Sequence, residues 1–377
     1  LIRIGFDAKR AFNNHTGLGN YSRLVLQAML QYAPDFDYHF YTPKINLHFQ
    51  SFLGDKPGCQ IVLPDSKWEQ WLHPLWRSKG IVNQLETDGI QLFHGLSNEL
   101  PLGLDKAGIK SVLTLHDLIF LRFPQYYPRI DRMFYRKKFE RSCKEADVVV
   151  AISQQTALDI QEFYQLEESK IKIIYQDCHP IFRQAVSQDE INTIRFKYNL
   201  PEQYLLSVGT LESRKNQLTL LKAYAQLPAD RPPLVLVGRK TAYYEQMEAF
   251  FQTSGIESEL IFLELVEAND LPAIYHASLA MAYVSEFEGF GLPLLEAMCT
   301  DTPVLTSTTS CFSEVVGEAG LYCHPHDVDA MTDALHRLIY ATEVRDQLKA
   351  HCAEQAALFS AEKMAGELAS IYSNLLS

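Results

Sequence analysis

Two glutamates, Glu288 and Glu296, frame the segment Glu288-Gly-Phe-Gly-Leu-Pro-Leu-Leu-Glu296. Two carboxylates across a strand-to-helix junction can accept hydrogen bonds from the hydroxyls of one ligand. Gly289 and Gly291 let a backbone approach that ligand closely. Pro293 suits the first helical position, so the spacing predicts a helix over 294–299 whose free N–H groups face the loop. A diphosphate suits such a place. An ordinary capped helix with first-turn carboxylates fits the same residues. A second constellation is Ser207-Val-Gly-Thr-Leu-Glu-Ser-Arg214-Lys215-Asn216, a strand followed by adjacent cations before a helix. Arg binds two oxygens as a fork and Lys acts as a point charge, so the pair suits phosphates. A solvated basic loop is the alternative. A third is Leu113-Thr-Leu-His116-Asp117, which puts His116 at a strand's carboxyl end, either as a catalytic group or as a structural hydrogen-bonding one. The fourth, Gly17-Leu-Gly19-Asn20-Tyr21-Ser22, resembles a dinucleotide fingerprint but has Ser22 where the third Gly or Ala belongs, so it reads as a tight turn exposing N–H groups. Asp327-Val-Asp329 has the spacing of a metal-binding pair, but it precedes a helical run where capping accounts for it.

These residues need a scaffold. The chain has 377 residues, enough for about two domains, with 47% hydrophobic and 21% charged residues. That composition excludes a disordered, collagen-like or coiled-coil chain. The net charge of −12 is uneven: residues 1–180 hold 21 Lys+Arg against 20 Asp+Glu, and the remainder hold 13 against 26. No apolar run approaches the roughly 20 residues of a membrane span. The opening Leu1–Phe6 reads as a strand, no signal peptide is evident, and the seven cysteines without a C-x-x-C pair read as reduced thiols of a cytoplasmic protein.

Short apolar runs alternate with helical patterns throughout. Strands are expected over 2–6, 38–41, 60–63, 91–94, 111–115 and 148–152, with a helix over 22–32. The same grammar restarts with strands over 204–208, 234–237, 260–263, 279–283 and 303–306. Helices are expected over 217–225, 243–253, 328–340 and 361–376. Such alternation argues for parallel sheets covered on both faces. The crossover is expected near 176–182. This gives an α/β chain with a domain over 1–178, a second over 179–360, and a last helix over 361–377 that crosses back to the first.

Taken together, the motifs resemble the retaining glycosyltransferases of family 4. The run EGFGLPLLEAM is similar to that family's paired-glutamate signature, SVGTLESRKN to its phosphate loop, and LTLHDLIFLRFPQYY to its histidine loop. GLGNYSRL, HGLSNELPL, VVVAISQQTALDI, KIKIIYQDCHPIF and EVVGEAGLYCHPHDVDAM follow in the family's order, so the match covers nearly the whole chain. The GTLESRKN variant is most like bacterial mannosyltransferases that build surface polysaccharides.

The resemblance implies the GT-B fold, two Rossmann-like domains facing across a cleft, and a nucleoside-diphosphate sugar held mainly by the second. His116, Glu288, Arg214 and Lys215 would form the catalytic set. Arg214 and Lys215 would neutralise the diphosphate, Glu288 would bind donor-sugar hydroxyls, and His116 would sit beside the sugar. Phe290, Gly291 and Leu292 would offer N–H groups to the sugar, and Leu294 or Leu295 to the phosphate. Glu296 would accept from ribose hydroxyls, Leu265 and Val266 would hold the base, and Gly17 and Gly19 would border the diphosphate or acceptor. Three departures stand out. Thr210 occupies a donor-side position where many members carry Arg, with Arg239 or Lys240 as further sources of charge. The usual Asn-Gly-Val-Asp hinge is Gln176-Asp-Cys-His179. Arg239-Lys240 follows a strand where a small residue is usual.

The implied activity is metal-independent transfer of a hexose, mannose first, with retained configuration to a saccharide or lipid-linked saccharide. GDP-mannose is the first donor considered and UDP-sugars the next. No cofactor or metal is expected. A sugar-nucleotide epimerase, a phosphorylase and a non-catalytic sugar-nucleotide-binding protein remain as alternatives. The incomplete glycine fingerprint disfavours an NAD-dependent oxidoreductase. Arg122–Lys144 carries eight basic and two acidic residues with six aromatic ones. It reads either as a segment resting on an anionic membrane at the inner face of the cytoplasmic membrane, or as a surface helix with its aromatic residues turned to the core. Nucleic acid is not an expected partner.

Overall fold

Strands of three to six residues form where the apolar runs lie. The computed structural model describes residues 1–53, 58–66 and 72–377. It divides into two units, one comprising Leu1–Asp177 with Phe359–Ser377 and the other Cys178–Leu358.

The first unit contains β1 (Ile2–Asp7), β2 (Phe36–Tyr41), β3 (Cys59–Val62), β4 (Leu92–Gly95), β5 (Lys110–Leu115), β6 (Val148–Ala151) and β7 (Ile171–Ile173). They make an all-parallel sheet in the order β3-β2-β1-β4-β5-β6-β7. The order reverses between β1 and β4. In open parallel sheets such a switch point leaves a crevice beyond the strand ends where ligands bind. The central strands are buried on both faces, which explains their continuous apolar runs.

The second unit contains β8 (Leu205–Val208), β9 (Leu234–Val237), β10 (Leu260–Leu263), β11 (Ala280–Tyr283), β12 (Val304–Ser307) and β13 (Gly320–Cys323). They are parallel in the order β10-β9-β8-β11-β12-β13, reversing between β8 and β11. The core beneath joins Leu205, Leu220, Leu236, Ala282 and Leu305 to Leu335 and Leu338 from the helix Val328–Tyr340.

Several elements depart from the sequence expectation. Strands β7 and β13 were not anticipated: one has three residues and the other starts on glycine, so neither carries a strong alternating pattern. The first long helix begins at Gly17, not Ser22, and a five-residue helix, Lys9–Asn13, precedes it. Gly17-Leu-Gly19 is therefore helical, not a separate tight turn. A Cβ on Gly19 would stand 2.0 Å from the Asn14 carbonyl oxygen, so the close approach of the preceding loop demands glycine there. Space around Gly17 is open. The helix after Glu288 begins at Leu292, which moves Pro293 to its second position; an N–H is dispensable there as well.

The last helix, Ala361–Leu376, packs on the helix Gly17–Tyr32. Its Tyr372 hydroxyl lies 2.6 Å from His94 Nδ1, and His94 Nε2 lies 2.9 Å from Thr114 Oγ1. Burial holds the His94 imidazole neutral, with its pKa lowered to about 3. The helix start is tied down by Ser360, which caps Lys363 N–H, and by Asp177, which accepts from Ala361 N–H at 3.0 Å.

The basic stretch is three elements, not one amphipathic segment: Ile119–Arg122, a turn at Pro124–Tyr126, and the helix Arg129–Glu145. Arg122 pairs with Asp159 and Glu162. Phe139 enters the core and Tyr127 packs against it, but Phe134 is 70% exposed beside exposed Ile130 and Met133. No helix among the described residues is long and apolar enough to cross a membrane.

Candidate active site

The second unit's switch point gathers three of the expected residues around one carboxylate. The turn Ser213–Lys215 follows β8, and the loop carrying Glu288 follows β11. Glu288 Oε1 lies 2.7 Å from Arg214 Nη1 and 2.6 Å from Lys215 Nζ. Arg214 also donates to the Phe287 carbonyl at 2.7 Å and pairs with Glu212. Lys215 donates to the Tyr283 hydroxyl at 2.6 Å and lies over its ring. Burial by itself would raise the Glu288 pKa; the Arg214 and Lys215 charges outweigh it and hold the group down to about 2. Both cations are therefore fixed by one buried anion at the second unit's switch point.

Local sequence explains that precision. Asn216 adopts a left-handed conformation, which asparagine tolerates, and thereby turns the chain from Lys215 into the helix Gln217–Ala225. Its side-chain amide donates to the Val284 and Pro325 carbonyls. Backbone bonding from Glu286 N–H to the Arg214 carbonyl, 2.9 Å, joins the two loops. The loop of Glu288 is clamped by hydroxyls at and just beyond the end of β12: Ser307 donates to the Ser285 carbonyl, Thr309 to the Glu286 carbonyl and Ser310 to the Glu288 carbonyl. Ser310 Oγ also accepts from Glu288 N–H. These hydroxyls and Tyr283 were missed in the sequence; the run Thr306-Ser-Thr-Thr-Ser310 directly after a strand was the available signal.

Glu296 does not join the cation cluster. It sits on the helix Leu292–Cys299 and accepts from the Tyr275 hydroxyl at 2.9 Å. Burial raises its pKa to about 7, with the Tyr275 hydrogen bond opposing. It is therefore a carboxyl group that titrates near neutral pH, and further donors reaching it would favour the ionised form. Tyr275, held edge-on by Phe182, was likewise unanticipated.

The remaining donor-side residues are placed as follows. Gly291 caps the same helix in a left-handed conformation, with Phe312 and Leu294 packed against its face. Leu292 is its first residue and Phe290 is buried. Leu294 is buried and its N–H donates to the Gly291 carbonyl at 2.9 Å, so of the two expected N–H donors Leu294 is already committed; Leu295 is buried beside it. The Thr210 carbonyl accepts from Gln217. Leu265 is 92% exposed after β10, with Val266 half-buried beside it. Lys240 lies over the Tyr244 ring and pairs with Glu264 at 3.6 Å, which turns it to the β10 side, whereas Arg239 is exposed. Asp327 caps the helix Val328–Tyr340 by accepting from Ala330 N–H at 2.9 Å, the role its position suggested.

In the first unit, His116 follows β5 and is buried. Its Nε2 is 2.8 Å from the Leu96 carbonyl, so that nitrogen carries the proton and Nδ1 is left with a lone pair. Tyr21 packs edge-on to the ring at 4.6 Å. Burial lowers the His116 pKa to about 4, opposed by the Leu96 bond and assisted by the Arg10 charge. A neutral imidazole with a fixed tautomer can accept a hydroxyl proton in a hydrogen bond, but it is not a standing cation.

Residues 17–176 match the family model "Glycosyltransferase Family 4", and residues 190–355 match "Glycosyl transferases group 1". The O-antigen chain mannosyltransferase B of Escherichia coli is 31% identical over 285 residues, 74% of each chain. The serotype-specific mannosyltransferase WbdA of the same organism is 32% identical over 72% of this chain, which spans only 34% of WbdA. Among solved structures, sucrose-phosphate synthase from Thermosynechococcus elongatus superposes with a TM-score of 0.80 at 21% identity, covering 100% of this chain and 99% of that one. Anabaena HepE in complex with UDP and glucose gives 0.78 at 18% identity, covering 99% and 100%. With paired parallel sheets, a cation-and-glutamate cluster at a switch point and these likenesses, the chain belongs to the family 4 glycosyltransferases and has the GT-B fold.

Proposed function

We propose that this hexosyltransferase moves mannose from a nucleoside-diphosphate sugar, GDP-mannose first, to a saccharide or lipid-linked saccharide in polysaccharide synthesis. The observation that carries the reading is the convergence of Arg214 and Lys215 on Glu288. Departure of a diphosphate develops negative charge, and preorganised cations stabilise it without reorganisation. The bound diphosphate shares these cations, which frees the Glu288 carboxylate to accept donor-sugar hydroxyls. Glu296 accepts from the ribose, Leu295 offers its N–H to the phosphate, and His116 Nδ1 accepts from a sugar hydroxyl. The bond from the anomeric carbon to the phosphate oxygen breaks as the acceptor oxygen bonds to that carbon on the same face. The acceptor's proton passes to the departing oxygen, and configuration is retained. Two fixed cations make a metal unnecessary for this step. The mannosyltransferase relatives support the sugar.

The test is transfer from radiolabelled GDP-mannose in EDTA, with the product's anomeric configuration read by NMR. A new α-linked glycoside in the chelator is expected from an α-linked donor. Inversion refutes the same-face step, activity restored only by Mg²⁺ or Mn²⁺ refutes metal independence, and epimerised or phosphorolysed sugar refutes transfer.

Membrane contact at the cytoplasmic face is part of the same proposal. Exposed Ile130, Met133 and Phe134 stand on the helix Arg129–Glu145 with Arg129, Arg136 and Lys137, which make no ion pair among the described residues. Apolar side chains interleaved with unpaired cations suit an anionic bilayer. Cosedimentation with phosphatidylglycerol vesicles is expected, and its persistence after charge reversal at Arg136–Lys138 with Phe134→Ser refutes the contact.

A further inference from the structure

A second cationic site lies in the first unit, at the carboxyl ends of β1 and β4. A cavity of about 200 Å³ opens there, smaller than the roughly 300 Å³ at which pockets begin to hold whole small molecules. Its size suits one charged group. Arg77, Lys9, Arg10, Lys138 and Arg141 line it, against the carboxylates Asp7 and Glu99 alone. Five cations face two anions along the lining, and Glu145 beside Arg141 adds a third, which leaves a surplus of two positive charges.

The two carboxylates are already used. Asp7 takes Arg77 at 2.5 Å, and Glu99 takes Arg77 at 2.6 Å and Lys138 at 2.7 Å. Arg141 donates to the Leu100 carbonyl at 2.8 Å, and its Nε lies 3.5 Å from Glu145 Oε2, an ion pair along the same helix. Lys9 and Arg10 make no ion pair among the described residues, although both are half-buried. Burial lowers the Lys9 pKa and the nearby Arg77 charge lowers it further, and Asp7 and Glu99, both engaged by Arg77, offset this only in part. Partly buried charge is costly unless an opposite charge arrives. The Arg77 bridge to Asp7 and Glu99 fixes the floor, and Lys9 and Arg10 remain to receive an anion.

We infer that this cavity binds a phosphoryl group carried by the acceptor, with Lys9 and Arg10 as its principal ligands. Arg10 is also close enough to bear on the His116 ring, which links the cavity to the histidine assigned to the sugar. The inference rests on the glycosyltransferase reading only in calling the bound molecule the acceptor. Two sources share this chemistry, a prenyl diphosphate that carries a growing saccharide and a free sugar phosphate.

Isothermal titration of the full chain with inorganic diphosphate tests it, since binding is read without transfer. The wild-type chain is expected to show two binding events, one at Arg214 and Lys215 and one here. Lys9→Gln/Arg10→Gln should weaken the second roughly a hundredfold, about tenfold for each charge-assisted contact removed, while GDP binding by the second unit stays intact. Arg10→Lys should recover part of it. Farnesyl diphosphate and mannose 6-phosphate separate the sources: preference for the former assigns a lipid-linked acceptor, and preference for the latter a free one. Equal diphosphate binding by the wild type and the double variant overturns the inference, as does a single event in both. Failure of GDP-mannose transfer with this binding intact would count against the proposed reaction, not against the site.

Discussion

Replacing Glu296 with glutamine separates what its burial costs the fold from what its charge does for a nucleotide. Burial raises the carboxyl pKa from an ordinary 4.5 to about 7. Between those values the folded protein holds a proton that the unfolded chain has released, so stability falls as pH rises through that window. A shift of this size corresponds to about 3 kcal/mol once the group is fully ionised. Glutamine keeps the acceptor for Tyr275 and cannot ionise. The variant should therefore match the wild type near pH 5 and exceed it by about 3 kcal/mol near pH 8. At 2–4 °C per kcal/mol for a unit of this length, that is roughly 6–12 °C in the unit's Tm by calorimetry. Comparison of the two proteins at each pH cancels all other titrating groups. Nucleotide binding should move in the opposite sense. If ribose hydroxyls need the carboxylate, GDP affinity should rise about tenfold from pH 6 to pH 8 in the wild type, as the ionised fraction rises from about 0.1 to 0.9, and stay flat in the variant. A stability difference that does not change between pH 5 and pH 8 would refute the burial argument; a flat wild-type affinity would refute the ribose role.

Lys215→Ala leaves Glu288 paired with Arg214, so the protein should fold while donor binding weakens by tenfold or more, measured by titration with GDP. Arg214→Ala should cost more stability, about 3 kcal/mol, because buried Glu288 keeps only Lys215 while Glu212 and the Phe287 carbonyl lose the Arg214 guanidinium; denaturant unfolding would show it. Gly19→Ala should destabilise the first unit by a few kcal/mol because of the Asn14 carbonyl, whereas Gly17→Ala should be tolerated, an ordering that calorimetry can check. Tyr372→Phe leaves buried His94 short of one partner and should cost about 1–3 kcal/mol, with increased hydrogen exchange in the last helix.

Much of the architecture was legible in sequence because both sheets are parallel. Strand Leu234–Val237 is buried on both faces and stands out as a continuous apolar run with the boundaries the structure gives it, and the half-buried edge strand Leu260–Leu263 is as continuously apolar. The helix Val328–Tyr340 was equally plain from its periodicity. Two other edge strands were not: Ile171–Ile173 and Gly320–Cys323 are too short and too mixed to carry a pattern. The start of the helix at Gly17 was missed because glycine argues locally for a turn, whereas the contact that requires it lies in the Asn14 loop.

The sequence by itself determined which chemistry the chain possesses. Arg214, Lys215, Glu288, Glu296 and His116 were recognisable because strand ends and helix starts punctuate the chain with glycine, proline and charge. It could not say who pairs with whom. Arg214 and Lys215 lie more than seventy residues from Glu288, yet the reversal between β8 and β11 puts all three in one crevice and leaves Glu296 to Tyr275. The reversal between β1 and β4 likewise collects Lys9, Arg77, Glu99 and Arg141, which share no motif. Charge state followed the same division. A residue type states which groups can ionise, whereas burial and neighbours, which exist only once the sheets have formed, hold Glu288 ionised and raise the Glu296 pKa.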